Sequence, residues 1–275
     1  MSGRRELPIG IFDSGIGGLT VAHEIEKILP GEQILYFGDS AHMPYGDKSI
    51  DLIRSYALSI ADFLINKQHC KALVIACNTA SAAAYEVLRD ELKGNIPVIN
   101  VIDPMVEYII SKEEIHHVGL IATSTTVKSN VYQEKFSRRK PKLLYSALAT
   151  PLLAPMIEEG FYNDHISDAI LHQYLDDPQL AGIDTLVLAC THYPLIKKEI
   201  SAFFQHQIVV VDSAEVVATK LKQILKNESL ENLSGAKKTN RFYVSDLSSN
   251  FEKTTRIFYG ENIQLEYYWP HPVIL

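Results

Sequence analysis

Cysteine occurs only three times in this chain of 275 residues, as Cys70, Cys77 and Cys190. An odd, widely spaced set does not make a disulfide framework, and without a Cys-x-x-Cys pair it does not read as a zinc site, so thiols and no metal are expected. Positive charge is also in short supply: 26 Lys and Arg against 33 Asp and Glu leave a net charge of −7. No long basic stretch offsets this, which argues against nucleic acid as a primary partner. An acidic surface does not forbid an acidic substrate, because the field inside a cleft is set locally. Neither a signal peptide nor a membrane-spanning run is found, so the cytoplasm is the expected compartment and a membrane is not an expected partner. Low-complexity segments are missing as well. What remains is ordinary for a soluble globular protein, 47% hydrophobic and 21% charged, with length enough for one large or two small α/β domains.

Against this background two short stretches stand out as near copies, Leu73-Val-Ile-Ala-Cys77-Asn-Thr79 and Leu186-Val-Leu-Ala-Cys190-Thr-His192. Each is an apolar run rich in β-branched residues, then a cysteine, then small hydrogen-bonding residues and a helical pattern. Each therefore reads as a strand that delivers a thiol to its carboxyl end, where open α/β sheets bind ligands. The duplication extends further. Ile9-Gly-Ile-Phe-Asp13-Ser14 resembles Val118-Gly-Leu-Ile-Ala122-Thr123 at an offset of 109, and Val101-Ile-Asp103 resembles Val210-Val-Asp212 at the same offset, whereas the cysteines are 113 apart. Two similar halves related by an approximate two-fold axis are implied, with Cys77 and Cys190 on opposite walls of one cleft. For a single such cysteine, a small buried hydrophobe at a strand end would be an equal reading; the repeated context favours function. Cys70, in the charged stretch Lys67-Gln-His-Cys-Lys71, reads as incidental.

Strand patterns at 8–12, 33–37, 72–76, 97–102, 117–122, 143–146, 184–189 and 208–211 alternate with helical patterns at 17–29, 49–66, 80–92, 104–112, 126–137, 164–176, 194–204 and 213–226. Such alternation predicts parallel sheets covered by helices on both faces. The polar stretch 227–240 reads as a loop, followed by strand, helix and strand signals that include Phe242-Tyr-Val244 and Leu265-Glu-Tyr267. The expected fold is α/β, with two pseudo-symmetric lobes, each a mainly parallel sheet flanked by helices, and the active site in the cleft between them. Residues 1–100 with 210–275 would form the first lobe, carrying Cys77, and 101–209 the second, carrying Cys190.

Asp13-Ser-Gly-Ile-Gly-Gly18 follows the first strand and opens a helix, where glycine permits a tight turn and exposed N–H groups offer an anion site. The third glycine of a dinucleotide fingerprint is replaced by Thr20, so a nucleotide is not expected. Asp13 reads either as a helix cap or as a partner of Cys77, whose lobe it shares. Met43-Pro-Tyr45-Gly46 is a turn signal with an aromatic hydroxyl, while Asn78-Thr79 and Thr191-His192 bring amide, hydroxyl and imidazole groups beside the cysteines. No Arg or Lys lies in any of these motifs. A pocket of neutral donors suits a small polar anion. His192 reads as a capping or surface residue, or as a neighbour that promotes the Cys190 thiolate or donates a proton.

Taken in order, Asp13-Ser14-Gly15, Pro44-Tyr45-Gly46, Cys77-Asn78-Thr79 and Cys190-Thr191-His192-Tyr193-Pro194 span nearly the whole chain and resemble the glutamate racemases of the aspartate/glutamate racemase superfamily. Leu153-Ala-Pro-Met-Ile-Glu158-Glu159-Gly160 matches where that family places a glutamate near the second cysteine, and Thr123 and Thr126 match its threonine-bearing strand end. Thr125 stands where a glycine is frequent. The resemblance implies interconversion of L- and D-glutamate without a cofactor, supplying D-glutamate for peptidoglycan, by a homodimer. It further implies that Cys77 deprotonates D-glutamate with help from Asp13, and that Cys190 deprotonates L-glutamate with help from His192 and Glu158. Asp13, Ser14, Tyr45, Gly46, Asn78, Thr79, Thr123, Thr126, Thr191 and His192 would bind substrate. Racemisation itself requires two bases facing each other across the α-carbon, one thiolate and one thiol; a free thiol with a pKa of about 8.5 comes within reach of neutral pH beside a helix N-terminus or His⁺. Other readings are racemisation of aspartate or another small acid, a cysteine hydrolase built on Cys190 and His192, and a redox-sensing binding protein. The hydrolase leaves Cys77 unexplained, and residues so close in sequence need not face one another.

Overall fold

A computed structural model of the chain describes residues 2–92, 94–162, 164–235, 239–247, 255–260 and 263–270. Its strands are β1 (Ile9–Asp13), β2 (Ile34–Gly38), β3 (Ala72–Ile75), β4 (Val98–Asn100), β5 (His117–Ala122), β6 (Leu144–Ala149), β7 (Thr185–Ala189), β8 (Val209–Asp212), β9 (Arg241–Val244) and β10 (Leu265–Tyr267). They form two sheets, parallel throughout: a six-stranded one in the order β10-β9-β2-β1-β3-β4 and a four-stranded one in the order β6-β5-β7-β8. The inner strands β1, β3 and β7 are buried at every position, as continuous apolar runs must be when helices cover both faces of a parallel sheet.

The order β2-β1-β3-β4 is repeated as β6-β5-β7-β8, so the internal duplication is a duplication of sheets. Pairing registers fix the equivalences. Gly10 pairs with Leu73 as Gly119 pairs with Leu186, so Asp13 corresponds to Ala122 and Cys77 to Cys190. One matched pair is corrected: Leu73 faces Val98 where Leu186 faces Val210, which makes Asn100, not Asp103, the counterpart of Asp212. Both of these residues cap the next helix through their side chains. Asn100 accepts from the N–H groups of Ile102 and Asp103 at 2.8 Å, and Asp212 from that of Ala214 at 3.0 Å.

Most expected helices are present, with instructive differences. The run at 126–137 is two helices, Ser124–Lys128 and Val131–Arg139, because Asn130 takes a left-handed conformation (φ 55°) that asparagine tolerates better than most residues. The run at 49–66 is an α-helix, Ile50–Asp62, that widens to a π-turn over Phe63–Lys67. The run at 194–204 starts as a 3₁₀ turn, Tyr193–Ile196, before the helix Lys197–Phe203. A short helix, Leu153–Glu158, was not expected. Residues 227–240 hold neither strand nor helix beyond Asn227 among those described; 236–238 lie outside them.

The lobes share one core. Helix Ser213–Asn227 buries Val217, Ala218, Leu221 and Leu225 against the helices Leu19–Ile28 and Ile102–Ile110. At roughly 1.5–3 kcal/mol for each fully buried large aliphatic side chain, this seam holds the two sheets together at the back and leaves a cleft at the front. A buried ion pair closes the far end of the first lobe: Lys71 meets Glu32 and donates to the carbonyls of Arg5 and Leu230, while Glu32 also accepts from the N–H of Asn232. The chain on either side of the second lobe is thereby fastened to one point.

Candidate active site

The ends of β1 and β3 are neighbours in the first sheet, and those of β5 and β7 in the second. Ser14 and Cys77 therefore leave one lobe side by side, as Thr123 and Cys190 leave the other. All four line a single cavity of about 270 Å³ whose walls also include Gly15, Tyr45, Gly46, Asn78, Thr79, Glu158, Thr191 and His192. Asp13 and Thr126 are not among its lining residues; they lie one layer behind. Both cleft cysteines are buried and free.

Around Cys77, the Sγ sits 3.6 Å from Ser14 Oγ and receives the N–H of Ala80 at 3.4 Å. Burial pushes this thiol up to about 12, with the charge of Asp13 adding to the effect. Asp13 is itself fully buried, and burial raises its carboxyl above the usual range despite the opposing charge of His192. Its oxygens accept from the N–H of Gly15 at 3.1 Å and from that of Gly18. The anion at the glycine turn is thus the chain's own carboxylate, and Asp13 serves the turn before the helix and the field at Cys77 at once.

Around Cys190, the Sγ lies 3.6 Å from His192 Nδ1, and the other ring nitrogen meets Glu158 Oε1 at 2.7 Å. Close sequence neighbours do face one another here, because the 3₁₀ turn after β7 folds the imidazole back toward the sulfur. Burial disfavours a charged ring, but the hydrogen bonds to Cys190 and Glu158 outweigh it and hold His192 well above its usual range. A doubly protonated ring presents N–H to both partners at once. Glu158 comes from the short helix that sequence patterning did not reveal.

Several contacts cross the cleft. Thr79 Oγ1 meets Thr123 Oγ1 at 2.9 Å and Thr126 Oγ1 at 3.3 Å, and Tyr132 donates its hydroxyl to Asn78 Oδ1 at 2.8 Å. That bond leaves Asn78 Nδ2 buried on the cavity wall with no partner among the described residues. An unsatisfied buried donor is costly, so this one is a ready site for a ligand oxygen. Tyr45 reaches the cavity, but its hydroxyl is spent on the buried Asp39 at 2.5 Å, which removes it as a free donor. Thr125 causes no distortion: Thr123 caps the helix in an ordinary extended conformation. Sequence reasoning missed Tyr132, which looks like a core residue of its helix, and Gly17. A side chain at Gly17 would collide with Thr191 Oγ1 at 2.5 Å and the His192 ring at 2.6 Å, so this glycine lets the lobes approach. Among the described residues no cluster of His, Cys, Asp and Glu could hold a metal ion.

A family model described as Asp/Glu/Hydantoin racemase matches residues 9–221. A glutamate racemase of Neisseria meningitidis serogroup C is 40% identical over 260 residues, 94% of this chain and 95% of that one. One from Geobacter metallireducens is 40% identical over 252 residues, 92% of each. Among solved structures, glutamate racemase from Francisella tularensis subsp. tularensis SCHU S4 in complex with D-glutamate superposes with a TM-score of 0.90 at 37% identity, covering 96% of this chain and 98% of that one.

Proposed function

We propose a function from one premise: the chain belongs to the Asp/Glu/Hydantoin racemase family. The reaction is the interconversion of L- and D-glutamate. The observation that carries this reading is the pair of free cysteines just past the ends of matched strands, both lining one small cavity. One sulfur takes the α-proton from its face while the other donates a proton to the opposite face, and the roles exchange for the reverse reaction. No electron acceptor or further co-reactant is needed for that balance.

The two walls differ in the way this chemistry asks. Burial and the charge of Asp13 push the Cys77 thiol up, whereas Cys190 faces an imidazole whose protonated form is favoured by its hydrogen bonds to Cys190 and Glu158. Cys190 is the base and Cys77 the acid for L-glutamate; D-glutamate requires the opposite assignment. Ser14, Asn78, Thr79, Thr123, Thr191 and the backbone at Tyr45-Gly46 hold the carboxylates and the amine. Asp13 and Thr126 act through Cys77 and Thr79 instead of touching substrate. Burial of the site strengthens each of these interactions as charge builds at the α-carbon. We assign the product to peptidoglycan synthesis in the cytoplasm, by a cofactor-free homodimer, on the family resemblance; no helix among the described residues is long and apolar enough to cross a membrane.

The order Cys190–His192–Glu158 is also that of a cysteine hydrolase, and its geometry is good. Cys77 separates the two readings. Incubation of purified protein with either enantiomer in D₂O should place deuterium at Cα mainly in the product enantiomer, with no added cofactor. Cys77→Ala and Cys190→Ala should each lower racemisation by more than about a hundredfold, or about 2.7 kcal/mol. Retention of a tenth of the activity by Cys77→Ala would refute the two-base mechanism.

A further inference from the structure

The loop carrying Tyr45 and Gly46 is gripped from both sides. From behind, the buried carboxylate of Asp39 accepts from Tyr45 Oη at 2.5 Å and Ser245 Oγ at 2.7 Å, and meets His42 Nδ1 at 2.8 Å, which ties the loop to the first lobe. From the front, Thr125 of the second lobe donates its hydroxyl to the carbonyl of Gly46 at 2.6 Å. The fit there is close: a Cβ on Gly46 would lie 3.1 Å from Thr123 Cβ. Beside this bond, the hydroxyls of Thr79, Thr123 and Thr126 meet across the same edge of the cleft. Those threonines have a second use, since Thr79 and Thr123 line the cavity and a substrate can take their hydroxyls. Thr125 does not line it.

We propose that Thr125 is a positioning residue that latches the two lobes over the substrate through its bond to Gly46. The inference rests on the racemase reading for its kinetic consequence and on geometry alone for the latch. When substrate enters, the bridging hydroxyls of Thr79 and Thr123 turn to the ligand, and the Thr125–Gly46 bond stays free to hold the edge shut. A glycine or any residue without a hydroxyl at this position could not make it. The bond exists only with the lobes together, so its loss lowers the fraction of molecules in the binding-competent form and weakens apparent affinity by that factor.

The test compares Thr125→Val, which keeps the shape and removes the hydroxyl, with Thr125→Ser, which keeps the hydroxyl. Steady-state kinetics with each enantiomer should show KM raised about three- to tenfold for both in Thr125→Val, the range expected for one hydrogen bond, with kcat within about twofold. Thr125→Ser should stay close to the unsubstituted chain. Amide hydrogen exchange of the ligand-free protein, read on a peptide spanning residues 43–48, should be faster in Thr125→Val and unchanged in Thr125→Ser. Unchanged KM and exchange in the valine variant, equal losses in valine and serine, or a fall in kcat at constant KM would each overturn the latch. If the unsubstituted chain racemises neither enantiomer, the racemase reading fails, and the exchange comparison alone still decides whether the latch exists.

Discussion

Gly17→Ala tests how tightly the geometry at Cys190 depends on contact between the lobes. The added methyl would sit 2.5 Å from Thr191 Oγ1 and 2.6 Å from His192 Cε1 and Nδ1, where ordinary contact begins at 3.4 Å. Thr191 can turn its hydroxyl aside. The His192 ring cannot yield as easily, because Glu158 holds Nε2 at 2.7 Å and the Phe258 ring stands edge-on to it at 5.2 Å between centroids. Relief requires a shift of roughly 1 Å, by the ring or by the whole lobe, and a misplacement of that size costs on the order of a hundredfold in rate. The backbone at Gly17 is not left-handed, so alanine is strained there only by its contacts. Overpacking should also cost about 1–3 kcal/mol of folding stability, which a large domain tolerates. The assay follows loss of optical rotation from each enantiomer. Because the two substrates are mirror images of equal free energy, kcat/KM must fall by the same factor in both directions. Gly3→Ala, where a Cβ meets nothing within 4 Å, is the silent control. A Gly17→Ala protein with kcat/KM within about threefold of the unsubstituted chain would show that His192 need not be held where it is, and the account of that wall would fall.

Three further outcomes are expected. Asp13→Asn removes the negative charge that helps hold Cys77 near 12, so the Cys77 thiol should titrate at lower pH, as followed by thiolate absorbance against a Cys77→Ala background; an unchanged titration would break the link between them. The folded-state pKa of His192 lies above its ordinary 6.5, so its contribution to stability is complete below 6.5 and is lost as pH rises through the folded value; urea midpoints for His192→Asn should differ most from the parent on the acid side, and a constant difference would contradict this. Lys71→Met strands the Glu32 carboxylate in the interior and should lower unfolding free energy by about 3–5 kcal/mol, with much of that regained in Lys71→Met/Glu32→Leu; a loss under about 1 kcal/mol would mean the pair is not closed as described.

Much of this was legible in the chain itself. Buried parallel strands are continuous apolar runs, so β1, β3, β5 and β7 declare themselves, and the repeated cysteine contexts mark which strand ends face the cleft. Asn78, Thr79, Thr191 and His192 follow because they adjoin those cysteines. What stayed hidden depends on contacts between segments far apart in sequence. Tyr132 looks like any aromatic residue on the buried face of a helix until its hydroxyl is found on Asn78 in the other lobe. Gly17 looks like turn chemistry, though its role is set by His192. The false match of Asp103 to Asp212 has the same origin: similar letters lay near a strand end, and only pairing register shows that Asn100 holds the equivalent place. The break at Asn130 turns on one residue's φ, which apolar periodicity does not report.

The six-stranded sheet draws its last two strands from beyond the four-stranded one, and this orders the way the molecule can be made. As the chain leaves the ribosome, β1 to β4 emerge first, yet β2 has no partner on its outer side until Arg241–Val244 arrives to pair with Leu35–Gly38. By then every strand of the other sheet, through Asp212, has been available for some time. A nascent or truncated chain ending before residue 241 thus carries an open edge at Leu35, Tyr36 and Phe37, all buried in the finished protein, and such an edge recruits strands from other chains. The lobe that begins first is the lobe that finishes last.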